Sequence, residues 1–128
     1  MKKIFISIVF GTRPELIKLA PVILLAKQDS RFQVEVIFTG QHDELVRDAI
    51  DFFGVEIDHR LKIMNAGQSL NQLLIHGLTQ LENIYTDSQK RDAIVIQGDT
   101  TTVLAAGLVA FSMKIPVAMS KRVYVLMI

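Results

Sequence analysis

Three short polar clusters hold most of the residues equipped for chemistry: Gly11-Thr12-Arg13-Pro14-Glu15, Gly40-Gln41-His42-Asp43-Glu44 and Gln97-Gly98-Asp99-Thr100-Thr101-Thr102. In the first, Gly11 lets a ligand approach the backbone, and the Arg13 guanidinium offers a fork suited to phosphate or carboxylate. Pro14 suits the first turn of a helix, whose start presents free N–H groups and a positive dipole end to an anion. Arg13 therefore reads as an anion ligand or as a surface ion-pair partner, and its position in the expected fold favours the ligand. Lys18, one turn on, either lays its stem along the helix with the amine in water or turns toward the same anion. Asp99 reads as the N-cap of a following helix, or as a general base or ligand to a substrate hydroxyl. Thr100, Thr101 and Thr102 can offer hydroxyls and N–H groups to a ligand, or simply cap.

Other chemistries lack their residues. Neither GxxxxGK[ST] nor GxGxxG occurs, so a P-loop or a dinucleotide fingerprint is not supported. There are no cysteines, which excludes disulfides, thiolate catalysis and Cys-based zinc sites. His42 belongs to a polar loop, while His59 and His76 have no partner at metal-ligand spacing and read as solvent-facing, so no metal is expected. A net charge of +1 gives no broad footprint for nucleic acid or an anionic membrane. No apolar run approaches the ~20 residues that span a bilayer. The Met1-Lys2-Lys3 start followed by Ile4 to Phe10 meets Gly11-Thr12-Arg13 rather than a cleavage site, so it reads as a buried strand of a cytoplasmic protein.

The elements that must position these clusters alternate. Ile4 to Phe10 and Ala93 to Gln97 are short β-branched runs expected of strands buried on both faces, and Val34 to Thr39 is a third such run. Asp58 to Ile63 is a weaker strand, and Ile115-Pro116-Val117 opens a last one. Between them lie helices from Pro14 to about Gln28, with Pro21 inside, and from about Asp43 to Phe53, stopped by Gly54. The first carries the stripe Leu16, Leu19, Ala20, Ile23 and Leu24. A third helix, opened by a Ser69/Gln72 capping box, carries Leu70, Leu73, Leu74, Leu78, Leu81 and Ile84. A fourth, from about Thr101 to Met113, is apolar almost all round and is expected to be buried. The spacing predicts an α/β fold, a Rossmann-like doubly wound parallel sheet. In its usual strand order, 3-2-1-4-5, all three polar clusters fall at one edge, beside the switch point where ligands bind such sheets.

Taken together, Phe10-Gly11-Thr12-Arg13-Pro14-Glu15 with Ile17-Lys18-Leu19-Ala20-Pro21, Thr39-Gly40-Gln41-His42, Ile63-Met64 with Gly67-Gln68, and Gly98-Asp99-Thr100-Thr101-Thr102 resemble the UDP-N-acetylglucosamine 2-epimerases. The Gly40-Gln41-His42 form is similar to the non-hydrolysing bacterial branch. The resemblance implies the N-terminal half of a GT-B-type enzyme, an isomerase that acts without NAD or metal. It would interconvert UDP-N-acetylglucosamine and UDP-N-acetylmannosamine by eliminating and re-adding UDP, and serve polysaccharide biosynthesis. It further implies Asp99 and Lys18 as catalytic residues, with Arg13, Lys18, Gly11, Thr100 and Thr101 against the UDP-sugar. Gln41 and His42 would serve an allosteric UDP-sugar site, and the full-length family would be a homo-oligomer, a dimer.

Residues 1–117 follow this pattern and 118–128 diverge from it. The family continues with a segment bearing a catalytic glutamate and then a second domain, whereas no glutamate follows Glu82 here. The chain is therefore expected to be a truncated form, inactive alone, and its Val123 to Ile128 run to lack a partner. Two other readings remain: a non-catalytic UDP-sugar-binding module, and half of a split glycosyltransferase-like protein.

Overall fold

The structure, a computed structural model, describes the chain apart from residues 1, 41–42, 63–66, 88, 122–123 and 128, and gives only the backbone of 121 and 124–127. The alternating pattern folds as β1 (Ile4–Phe10), α1 (Arg13–Gln28), β2 (Phe32–Phe38), α2 (Glu44–Phe53) and β3 (His59–Arg60). It continues with α3 (Leu70–Tyr85), β4 (Ala93–Ile96), α4 (Thr101–Met113), β5 (Val117–Lys121) and β6 (Tyr124–Met127). The sheet order is β3-β2-β1-β4-β5-β6, parallel throughout except for β6, which pairs antiparallel with β5. The expected order thus holds, and the chain reverses direction across the sheet between β1 and β4.

Alternation along each strand divides the core between two faces. Ile6, Ile8, Phe10, Val36 and Phe38 pack with Leu16, Leu19, Ala20 and Ile23 of α1 and Val46, Ala49 and Ile50 of α2. Val9, Ile37, Ile94, Ile96 and Val117 face the other way, onto Leu81 and Tyr85 of α3 and Ala105, Ala106, Val109 and Ala110 of α4. Helices on both faces explain why the central strands are apolar on both sides.

Local chemistry sets the helix boundaries. Asp43 caps α2 by accepting from the Val46 N–H at 2.9 Å, and Gly54 ends it at φ 66°. The Ser69/Gln72 capping box closes in both directions at 2.9 and 3.1 Å. Helix α1 runs through Pro21, which sits on its exposed side.

Several expectations are corrected. Leu70 is exposed because it occupies the first, solvent-facing turn of α3, and Tyr85 takes a core place at the other end. Strand β3 is only His59–Arg60; Ile63 lies outside the described residues. His59 is not simply solvated, since its Nε2 lies 3.1 Å from Glu35 Oε1 and its side chain is 42% exposed. His76 Nδ1 likewise lies 2.6 Å from Gln68 Nε2. Helix α4 is buried on one side only: Leu104, Leu108 and Phe111 are exposed, Phe111 by 84%. With β5 they border an apolar groove of about 860 Å³ lined also by Ile115, Pro116 and Met119. The C-terminal run is not without a partner either, because Tyr124 to Met127 pair with Lys121 to Ala118.

A buried polar network sits under the second face. Arg91, 2% exposed, donates from Nε and Nη2 to both oxygens of Glu35, at 3.1 and 2.7 Å, and from Nη1 to Asp87. Its guanidinium carbon lies 4.8 Å from the Phe5 ring centroid and 5.2 Å from that of Tyr85. The Tyr85 hydroxyl bonds Ser7 Oγ at 2.8 Å, and burial pushes its phenol pKa well up. Every buried polar group in this network therefore has a partner, as a low-dielectric interior requires.

Candidate active-site rim

Three loops leave the carboxyl ends of β1, β2 and β4, which are neighbours in the sheet. They touch through small residues. A Cβ built on Gly40 would lie 1.8 Å from the Gly11 carbonyl oxygen, so the two backbones pack with no room for a methyl. A Cβ on Gly11 would lie 2.7 Å from the hydroxyls of both Thr39 and Thr102. Those hydroxyls bond each other at 2.8 Å, and the Thr39 N–H donates to the Phe10 carbonyl at 2.9 Å. Gly11 is thus buried, as a close-approach glycine should be, but what approaches it is protein.

Glu15 binds the first loop to the third. Its carboxylate is 3% exposed. Oε1 accepts from the N–H groups of Gly11 and Thr12 at 2.7 and 3.2 Å, and Oε2 accepts from the Thr100 hydroxyl at 2.7 Å. Thr12 returns a cap by accepting from the Glu15 N–H at 3.4 Å, and its carbonyl takes the Leu16 N–H at 3.1 Å. The start of α1 is thus less open than expected: Pro14 has no N–H and those of Gly11, Thr12, Glu15 and Leu16 are satisfied internally, leaving only that of Arg13 among these without a partner among the described residues. The capping box Thr12/Glu15 was readable from its T-x-x-E spacing; its reach to Thr100 was not.

The remaining predicted residues lie in or just after these loops. Arg13 opens α1 and is exposed; with Ile17, Ala49, Phe52 and Phe53 it lines a cavity of about 300 Å³ between α1 and α2. Lys18, also exposed, is five residues further and so projects about 140° around the helix from Arg13. Asp99 is exposed in the loop after β4, and it is not the cap of α4: Thr100 takes that position, two residues after Gly98 at φ 97°. Thr101 and Thr102 begin the helix, half-buried. The side chains of Arg13, Lys18 and Asp99 have no hydrogen-bond or ion-pair partner among the described residues. Gln41 and His42 lie outside those residues. Among the described residues no group of three His, Asp or Glu gathers as a metal-ligand set, and no helix is long and apolar enough to cross a membrane.

The alternating strands and helices and the sheet order β3-β2-β1-β4-β5 define the class: a Rossmann-like α/β domain of the GT-B type. The profile of the UDP-N-acetylglucosamine 2-epimerase family matches residues 25–119. The chain belongs to that family. It is 41% identical over 109 residues to the UDP-N-acetylglucosamine 2-epimerase of Neisseria meningitidis serogroup A, an alignment covering 85% of this chain and 29% of that protein. A crystal structure of the Neisseria meningitidis enzyme bound to UDP-GlcNAc is 39% identical with a TM-score of 0.82, covering 90% of this chain and 31% of that one. The Methanocaldococcus jannaschii enzyme in complex with UDP-GlcNAc and UDP is 32% identical with a TM-score of 0.81, covering 90% and 32%. The chain therefore spans about a third or less of the length of these relatives.

Proposed function

We propose that the chain forms one wall of a UDP-sugar site in an enzyme that interconverts UDP-N-acetylglucosamine and UDP-N-acetylmannosamine. The observation that supports this reading is that Arg13, Lys18 and Asp99, exposed and unpaired among the described residues, lie in or just after the loops that leave the carboxyl ends of β1 and β4. Relatives whose structures hold UDP-GlcNAc support the ligand class. In the reaction, a base removes the C2 proton as the C1–O bond breaks, and UDP leaves with the bonding electrons. UDP then returns to C1 while C2 is protonated on the opposite face. In this reading Asp99 and Lys18 handle protons at the sugar, and Arg13 and Lys18 supply positive charge toward the diphosphate. Gly11, Thr100 and Thr101 shape the floor, and Gln41 and His42 belong to an effector site.

Residues 1–117 carry this wall, and 118–121 and 124–127 add sheet edge; no glutamate occurs in 118–128. Stabilising a departing diphosphate requires donors on all sides of a water-poor cleft, and the 128-residue chain supplies one side. It therefore binds UDP-sugar weakly and does not turn it over. We further propose a cytoplasmic protein whose full-length relatives act as homo-oligomers. Titrating the purified chain with UDP-N-acetylglucosamine while following the product sugar tests both statements. Saturable binding without epimer is the expected result. Steady formation of the manno epimer overturns the inactivity, and absence of any binding at millimolar ligand overturns the UDP-sugar wall.

A further inference from the structure

We infer that Glu15 is a positioning residue for the UDP-sugar rim, holding the loop that bears Asp99 in register with the loop that bears Arg13. This rests on the reading of the rim given above, and it assigns Glu15 a task beyond ending a helix. A residue that served only as a capping-box partner would complete its work with the two N–H groups that Oε1 already takes, those of Gly11 and Thr12. Oε2 does something else. It accepts the Thr100 hydroxyl, 85 residues away in sequence and on the far side of the switch point.

The geometry at Thr100 strengthens the point. A threonine in the N-cap position ordinarily turns its oxygen onto the first turn of its own helix. Thr100 forms no such bond; its hydroxyl is aimed at Glu15 instead. Helix α4 thus gives up its side-chain cap so that the two loops can be joined. Gly98 completes the arrangement: a Cβ there would lie 3.3 Å from Glu15 Oε2, and the backbone stands at φ 97°. Asp99 is the residue between that glycine and the threonine that Glu15 holds. It therefore stands between a residue with little room for a side chain against one buried carboxylate and a residue bonded to that carboxylate, which also accepts the successive N–H groups of Gly11 and Thr12 that lead into Arg13. A shift of one loop is transmitted to the other through a single charged group that water does not reach. Catalytic and binding side chains must be held to fractions of an ångström, and such a tie supplies that from beneath the rim without touching ligand.

The test uses the 128-residue chain with the variants Glu15→Ala, Glu15→Gln and Thr100→Val, each read in amide NMR spectra without ligand and in titrations with UDP-N-acetylglucosamine. Glu15→Ala should move the amide signals of Gly98, Asp99 and Thr100 as well as those of 11–16, and weaken binding by roughly tenfold, the size of one lost charge-assisted bond. Glu15→Gln keeps an oxygen for the Gly11 and Thr12 N–H groups and an amide that can donate to Thr100, so it should restore affinity to within about threefold of wild type. Thr100→Val leaves the Thr12/Glu15 box intact and should reproduce the loss of affinity with α1 amides little changed. Confinement of the Glu15→Ala shifts to 11–16, or unaltered affinity in Thr100→Val, would overturn the assignment. If Glu15→Ala does not fold, the Thr100→Val and Glu15→Gln pair decides the matter alone. Should the wild-type chain bind no UDP-sugar, the reading of the rim fails, while the spectra without ligand still show whether Glu15 joins the two loops.

Discussion

At Gly40 a single hydrogen separates two backbones. A methyl there would sit 1.8 Å from the Gly11 carbonyl oxygen, and neither loop can retreat without breaking the Thr39 to Phe10 bond. Gly40→Ala is expected to destabilise the chain by about 3 kcal/mol, measured by chemical denaturation, because the overlap is with backbone rather than with a side chain that can swing away. Arg91 is the other position where one side chain decides much. Arg91→Ala leaves the buried Glu35 carboxyl group with only His59 for a side-chain partner among the described residues, and the expected loss is about 3–5 kcal/mol. Arg91→Lys should recover only part of it, since an ammonium cannot reproduce the two-pronged bond to Glu35. Gly11 was legible in the sequence as a close-approach position, although the groups that approach it are Thr39 and Thr102 and not a ligand. Arg91 was not: it lies in a run, Gln89-Lys90-Arg91-Asp92, that looks like solvated charge, and its main partner is 56 residues away. Glu15 was half legible, as a capping partner whose second oxygen has no local signature.

At the level of elements, apolar spacing located the helices and the two faces but overestimated burial where the sheet runs out. Helix α4 is apolar almost all round, yet Ala105, Ala106, Val109 and Ala110 are its buried residues, with Val103 and Met113 partly covered. Ile94→Ala, in the buried strand β4, should cost about 3 kcal/mol, whereas Phe111→Ala on the exposed side should change stability by less than about 0.5 kcal/mol. The same helix ends on Lys114 at φ 57°, a left-handed position that suits glycine. Lys114→Gly is expected to raise stability by about 0.5–1 kcal/mol, seen as a higher denaturation midpoint with unchanged slope. Before β2, the Asp29 carboxylate is held at about 2 by side-chain hydrogen bonds from Arg31. A depressed folded-state value means that its contribution is present above the unfolded-state pKa of about 3.9 and is lost as pH falls through the folded one. The Asp29 side-chain signal should therefore titrate near 2 in wild type, and move back toward the ordinary carboxylate value in Arg31→Gln.

For the molecule as a whole, the strand order was readable because alternating strand and helix patterns admit few windings. The lane taken by residues 124–127 was not, since a short uncharged run carries no information about which edge it will join. That lane has a consequence for how the sheet can be extended. Strand β5 faces β4 on one side and β6 on the other, so its backbone N–H and C=O groups are engaged on both flanks by Ala118 to Lys121 pairing with Met127 to Tyr124. A further parallel strand could join only by first peeling this four-residue ribbon away. What the ribbon leaves open is its own outer edge, which runs opposite to the other five strands.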